Sequence, residues 1–224
     1  MTTGIDNVGR VIFPKRGTFI QPLPPYILMK GQQMRYDQSM RYIDEIMGWG
    51  KGGRSVFLNC QTLRECEAKI REALVFLTSD TGLHDQRMTS SMPPERVYIE
   101  LQGGIAGVPG DLYDVAVASI EEKRIIYIPD REERRIFCSG REKSDAKVYT
   151  SFLETLGLEA DKIKDLFCPS VVVVPMVDTA RKVVGVAAVA GLGKNFLDPI
   201  VDLPPLRNFR EHAGEMLSRS GLIR

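Results

Sequence analysis

The chain holds little of what usually announces a chemistry. Only two histidines, His84 and His212, occur in 224 residues. Neither has a cysteine or carboxylate at ligand spacing, so no metal site is expected. The four cysteines, Cys60, Cys66, Cys138 and Cys168, lie 6, 72 and 30 residues apart. No C-x-x-C pair results, which argues against a zinc knuckle or a thioredoxin-type motif and leaves free thiols as the expectation. There is no H-E-x-x-H and no G-x-S-x-G, so zinc-hydrolase and serine-nucleophile readings lack support. Thirty Lys and Arg balance 29 Asp and Glu, for a net charge of +1. No global field draws the chain to nucleic acid or an acidic membrane. Apolar runs fall far short of the roughly 20 residues a transmembrane helix needs. The opening MTTGIDNVGRVIFPKRG has no apolar stretch preceded by positive charge, so it does not read as a secretory signal. A cytoplasmic location follows as the expectation, with neither membrane nor nucleic acid as partner.

Two near-motifs fail on register. GGIAGVPG carries glycines at 104, 107 and 110, which do not make G-x-G-x-x-G. Gly191-Leu192-Gly193-Lys194-Asn195 suggests a P-loop, but Ala188 stands where the first glycine belongs and Asn195 where a Ser or Thr would hold magnesium. No catalytic group is announced, an enzyme is not the favoured reading, and no motif specifies a cofactor.

What is present is a patterned globular chain. With 43% hydrophobic residues it can bury roughly 70% of its unfolded surface. Residues 1–35, with prolines at 14, 22, 24 and 25, read as an arm packed on the domain. Met40, Ile43, Ile46 and Met47 predict a helix over 37–47. Leu63, Cys66, Ile70, Leu74 and Leu77 form the best helical stripe, over 62–78, with Thr62 and Glu65 as a capping box. Strands are expected at 97–101 and 124–128, while Val115–Ile120 fits either period. The charged run 130–147 reads as a solvated loop, followed by helices at 145–156 and 159–167. A last helix at 205–218 carries Leu206, Phe209, Ala213, Met216 and Leu217 on one stripe.

The strongest signal is VVVVPMVDTARKVVGVAAVAG at 171–191. Stiff β-branched residues suit a pleated surface, so Val171–Val177 and Val183–Val189 predict a hairpin closed by the five residues 178–182. Without polar alternation, both faces should be covered. Pro175 must lie at a bulge, an edge, or where its missing N–H is not needed; Gly185 must mark a bulge or a close approach. An α+β domain, an antiparallel sheet with helices packed on it, fits the element order best.

Ile128-Pro129-Asp130, a variable charged stretch, Ser170 leading into the valine strand with Pro175-Met176, then Val184-Gly185-Val186, Phe196 and a terminal helix together resemble the GAF domain family. The resemblance covers about residues 120–217, and about 160 residues once 62–78 and 97–101 are included; a PAS-like or other profilin-like fold is the alternative. It implies an antiparallel sheet with the hairpin central, helices on one face and a loop-covered ligand pocket on the other. The implied organisation is an arm (1–35), a GAF-like domain (36–200) and a C-terminal helix (201–224). By position in the family, Tyr98, Glu100, Tyr127, Asp130, Phe152, Val172 and Val174 are the expected pocket residues, suited to a small polar ligand.

The function so implied is sensory or regulatory, with the signal leaving by association: a homodimer through the apolar stripe of the terminal helix, or a regulatory protein partner. Two rival functions stand beside it. Some GAF-fold enzymes reduce methionine sulfoxide with cysteines, and Cys138, with Cys168 as resolving partner, is the candidate. Arg134, Arg135 and Arg141 would favour a Cys138 thiolate, although the family's other cysteine is missing from GGIAGVPG. A thiol-based redox sensor would use the same pair. Chromophore attachment is disfavoured because Pro169 and Ser170, not histidine, follow Cys168. The other rival is a ligand-free interaction module, with QPLPPYI at 21–27 as a docking segment.

Overall fold

The computed structural model describes residues 30–47, 60–79, 96–102, 104–132, 135–139, 146–150, 166–191, 193–199 and 201–223. Helices α1 (Lys30–Met47) and α2 (Leu63–Thr78) precede strand β1 (Val97–Leu101). Helix α3 (Tyr113–Glu122) follows, then β2 (Ile125–Ile128), β3 (Arg135–Ser139) and β4 (Ala146–Thr150). The chain ends with β5 (Ser170–Val177), β6 (Val183–Gly191) and α4 (Leu203–Arg219). The strands form one six-stranded sheet in the order β1-β6-β5-β2-β3-β4, antiparallel at every pairing. The protein is therefore α+β.

The valine hairpin lies inside this sheet, flanked by β1 and β2, and every residue of β5 is buried. Alternation sends Val172, Val174 and Met176 to one face and Val171 and Val173 to the other, and each face has its own core. On the first, which we call the helix side, α2 and α4 pack with Ile70, Leu74, Leu206, Phe209 and Leu217, and α1 lies against α4. On the second, the loop side, α3 packs with Val115, Ala116 and Ala118, beside Leu112, Leu166 and Cys168. Helices thus cover both faces, whereas one helical face was expected. The ambiguous Val115–Ile120 run resolves as helix because its small residues let α3 lie on β5 and β6.

Pro175 and Gly185 fulfil their readings together. Pairing with β2 ends at Val173, so the ladder on that side never needs the proline N–H. A bulge follows directly, between Met176 and Val177. A Cβ on Gly185 would lie 2.8 Å from Met176 Cε, 2.9 Å from Leu101 Cδ2 and 3.0 Å from the Glu100 carbonyl oxygen, so the bulged strand passes its neighbours where only glycine fits. Asp178 closes the turn, its Oδ1 accepting from the Lys182 N–H at 2.8 Å.

Helix α2 begins as its sequence requires. Thr62 Oγ1 accepts from the Glu65 N–H at 3.2 Å, and Glu65 Oε2 accepts from the Gln61 N–H at 2.7 Å. Arg71 on α2 donates to the Val97 carbonyl on edge strand β1.

Three expectations are corrected. Helix α1 starts at Lys30, seven residues before the predicted 37, because its polar first turns gain tertiary partners: Gln32 donates to Asp198 Oδ2 at 2.7 Å and Arg35 pairs with Asp202 at 2.8 Å. The predicted solvated loop contains β3, where Ile136, Phe137 and Cys138 are buried in alternation between the two cores. Residues 146–150 form β4 rather than the start of a helix, and 166 and 167, the described end of the second predicted helix, are not helical. The remaining residues of those two predicted helices lie outside the described residues, as does the arm up to residue 29. Helix α4 packs through Leu203, Leu206, Phe209, Ala213, Met216 and Leu217 into the helix-side core. Gly214 of α4 approaches so closely that a Cβ there would overlap the Val177 backbone.

Candidate functional site

Seven positions were expected to share one pocket, and the sheet separates them. Tyr127, Val172 and Val174 point to the helix side and are fully buried in its core. The Tyr127 hydroxyl donates to the Leu197 carbonyl and accepts from the Leu197 N–H, both at 3.1 Å, and burial raises its pKa above the usual phenol value. These three are core residues with satisfied polar groups. Tyr98 and Glu100 stand on the opposite face, two residues apart on β1. Phe152 lies outside the described residues.

Asp130 sits at the end of the sheet, 5% exposed, and works as a fastener. Its Oδ1 accepts from the Glu132 N–H at 2.9 Å, and its Oδ2 lies 3.0 Å from Lys194 Nζ, which also pairs with Glu132. Burial pushes the Asp130 carboxyl upward, but the Glu132 N–H and the Lys194 ammonium outweigh it and hold the pKa below the ordinary value. The same corner is tied by Asn195 N–H donating to the Pro129 carbonyl at 2.7 Å and by Ser170 Oγ donating to the Gly193 carbonyl at 2.6 Å. The Gly-Leu-Gly-Lys stretch that suggested a phosphate loop thus crosses the strand ends as a structural strap.

The loop-side edge gathers different chemistry. Phe167, just before β5, is 47% exposed and stands edge-on to Tyr98, with ring centroids 6.5 Å apart. The guanidinium of Arg96 lies 5.7 Å from the Phe167 ring centre. Asp111 Oδ2, at the entrance to α3, accepts from the Phe167 N–H at 3.0 Å and fixes the loop. Glu100 Oε2 accepts from the Gly107 N–H at 2.8 Å, and a Cβ on Gly107 would come within 2.5 Å of that oxygen. The glycine-rich connection is therefore shaped around a carboxylate of its own chain. Two aromatic rings, one guanidinium and two carboxylates meet at a rim that can stack a flat apolar group and orient a charged one.

Of the residues expected in the pocket, Tyr98 and Glu100 lie at this rim; Arg96, Asp111 and Phe167 were not among those expected. The available signal was the large aromatic of Phe167-Cys168-Pro169, which a proline keeps out of regular structure directly before a buried strand.

The cysteines lie elsewhere than a redox site would need them. Cys60, Cys66, Cys138 and Cys168 are all buried thiols outside any disulfide. Cys138 and Cys168 share the loop-side core, where burial pushes their thiols up to about 12 and about 11. Arg134, Arg135 and Arg141 were expected to favour a Cys138 thiolate, and their side chains lie outside the described residues; burial acts in the opposite direction and prevails over Arg124, which lowers the value. Among the described residues, no group of three His, Cys, Asp or Glu could hold a metal ion, and no helix is long and apolar enough to cross a membrane.

No family model and no curated protein matches the chain.

Proposed function

We propose that this chain is a GAF-like sensory or regulatory domain of the cytoplasm that binds a small molecule at the loop-side rim and signals through association with a protein. The observation that carries the reading is the ring pair of partly buried Tyr98 and half-exposed Phe167, with Arg96 over one face and Asp111 and Glu100 beside it. Large aromatics left partly uncovered beside a packed core, with a few fixed charges around them, suit a small ligand that has a flat apolar part and a polar end. The sheet agrees with the reading, since the hairpin is internal and the Ile-Pro-Asp strand ends against it.

Association is assigned to another surface than the one the sequence suggested. The apolar stripe of α4 is buried in the helix-side core, so a second copy or a regulatory partner would have to dock elsewhere.

Native mass spectrometry of protein purified without denaturation, run beside a denatured sample, tests the binding. The expected result is an additional mass that disappears on denaturation. A native mass equal to that of the bare chain, with no gain on incubation with cell metabolite extract, overturns the reading.

A further inference from the structure

We propose that the hairpin-turn end of the sheet carries a second site, for a small oxyanion of the carboxylate or phosphate class, with Arg210 as its anchor and Arg181 and Lys123 beside it. The site is independent of the aromatic rim.

Arg210 occupies a core position of α4. It follows Leu206 by four residues and precedes Ala213 by three, both fully buried, and is itself 2% exposed. Its Nη1 donates to the Lys123 carbonyl at 2.7 Å, while its Nε is buried without a partner. No carboxylate among the described residues forms an ion pair with it. A buried guanidinium in that position is strongly disfavoured unless charge and hydrogen bonds reach it from somewhere.

The immediate surroundings add positive charge. Arg207, Arg181 and Arg124 all act against the Arg210 cation, and Glu211 acts for it. Burial, the largest influence, together with these arginines brings its pKa down to about 10. It remains charged near neutrality.

A cleft of about 170 Å³ opens onto Arg210 between α4, the C-terminal end of α3 and the hairpin turn. At roughly 30 Å³ per water, that is room for an oxyanion and a few waters. Lys123 and Arg181 line it, and both hold left-handed backbone, at φ 53° and 63°. Non-glycine residues rarely adopt that conformation, and here two cations adopt it around one cleft. Carboxylates line it too, but two have other partners: Asp178 accepts from the turn N–H of Lys182, and Glu215 pairs with Arg219 at 2.5 Å. Glu211 remains at the rim. The planar donor fork of arginine suits bidentate binding of a carboxylate or phosphate, and the buried Nε supplies the unsatisfied donor that such a ligand, after a small side-chain shift, would relieve.

The test is thermal unfolding and calorimetric titration of the full chain with inorganic phosphate, with acetate, and with chloride at matched ionic strength. Saturable stabilisation by phosphate, by acetate or by both, beyond that of chloride, is the expected result, and which of the two acts identifies the class. Arg210→Met keeps the aliphatic stem and should lose the response entirely. Arg181→Gly, compatible with its left-handed backbone, keeps the test decisive if the first variant fails to fold; it should weaken binding at least tenfold. Equal stabilisation by all three salts, or an unchanged response in Arg181→Gly and in any folded Arg210→Met, overturns the proposal and leaves Arg210 as a tie between α4 and α3.

Discussion

Tyr127 and Tyr98 belong to the same sheet and meet opposite fates. On the helix side, Tyr127 is sealed among Phe137, Phe196 and the helices, and its hydroxyl is satisfied by one backbone residue in both directions. On the loop side, small residues such as Ala116, Ala188 and Ala190 let α3 lie close, and the larger rings are displaced to the edge, where Tyr98 and Phe167 stay partly open. One face of the sheet supports the fold and the other presents chemistry at its margin. Aromatic residues in strands therefore cannot be assigned to a pocket until their face is known, because alternate residues along a strand point to opposite sides.

Substitutions can break this division, and the largest effect belongs to the helix side. Phe209→Ala should cost about 3–5 kcal/mol, since it removes a fully buried ring from the helix-side core. Chemical denaturation would measure it, and ligand affinity of the folded fraction should stay unchanged. Next comes Asp202, buried at the start of α4. Burial pushes its carboxyl up to about 7 against the pull of Arg35. The folded state then holds a proton that the unfolded chain, near its ordinary 3.8, releases. This contribution to stability is complete below about pH 4, falls as pH rises to about 7, and is on the order of 4 kcal/mol. Denaturation of wild type and Asp202→Asn across pH 4–8 should show the decline in the first and not in the second.

Smaller effects sharpen the comparison. Gly185→Ala forces the bulged strand away from Met176 and Leu101 and should cost about 1–3 kcal/mol without altering the rim. Phe167→Ala, at a half-exposed position, should change stability by less than about 1 kcal/mol while weakening ligand binding tenfold or more. A rim variant that unfolds the protein, or a core variant that abolishes binding while leaving it folded, would undo the assignment of faces.

The legible parts of the fold were those with a one-dimensional signature. The 171–191 hairpin, helix α2 with its Thr62–Glu65 cap, and the stripe of α4 were all set by local periodicity and capping. What escaped was set by tertiary contact. Helix α1 reaches back to Lys30 because Asp198 and Asp202, more than 160 residues away, hold its first turns. Strand β3 hides in a charged run, although Ile136, Phe137 and Cys138 face the cores. At the rim, Tyr98 and Glu100 were expected from their position in the resembled family, whereas Phe167, Arg96 and Asp111 meet only once α3 and β5 are in place. Arg210 did leave a trace, as a charge at a core position of an apolar stripe, and its meaning depended on the fold, where its Nε lacks a partner and no carboxylate among the described residues pairs with it.

The most direct test of the central claim is native mass spectrometry of three proteins purified side by side: wild type, the rim variant Tyr98→Ala/Phe167→Ala, and the helix-side variant Val172→Ala. A non-covalent mass on wild type and Val172→Ala, absent from the rim variant, is the predicted result. Retention of that mass by the rim variant, with its loss from folded Val172→Ala, would place the ligand on the helix side and contradict the account.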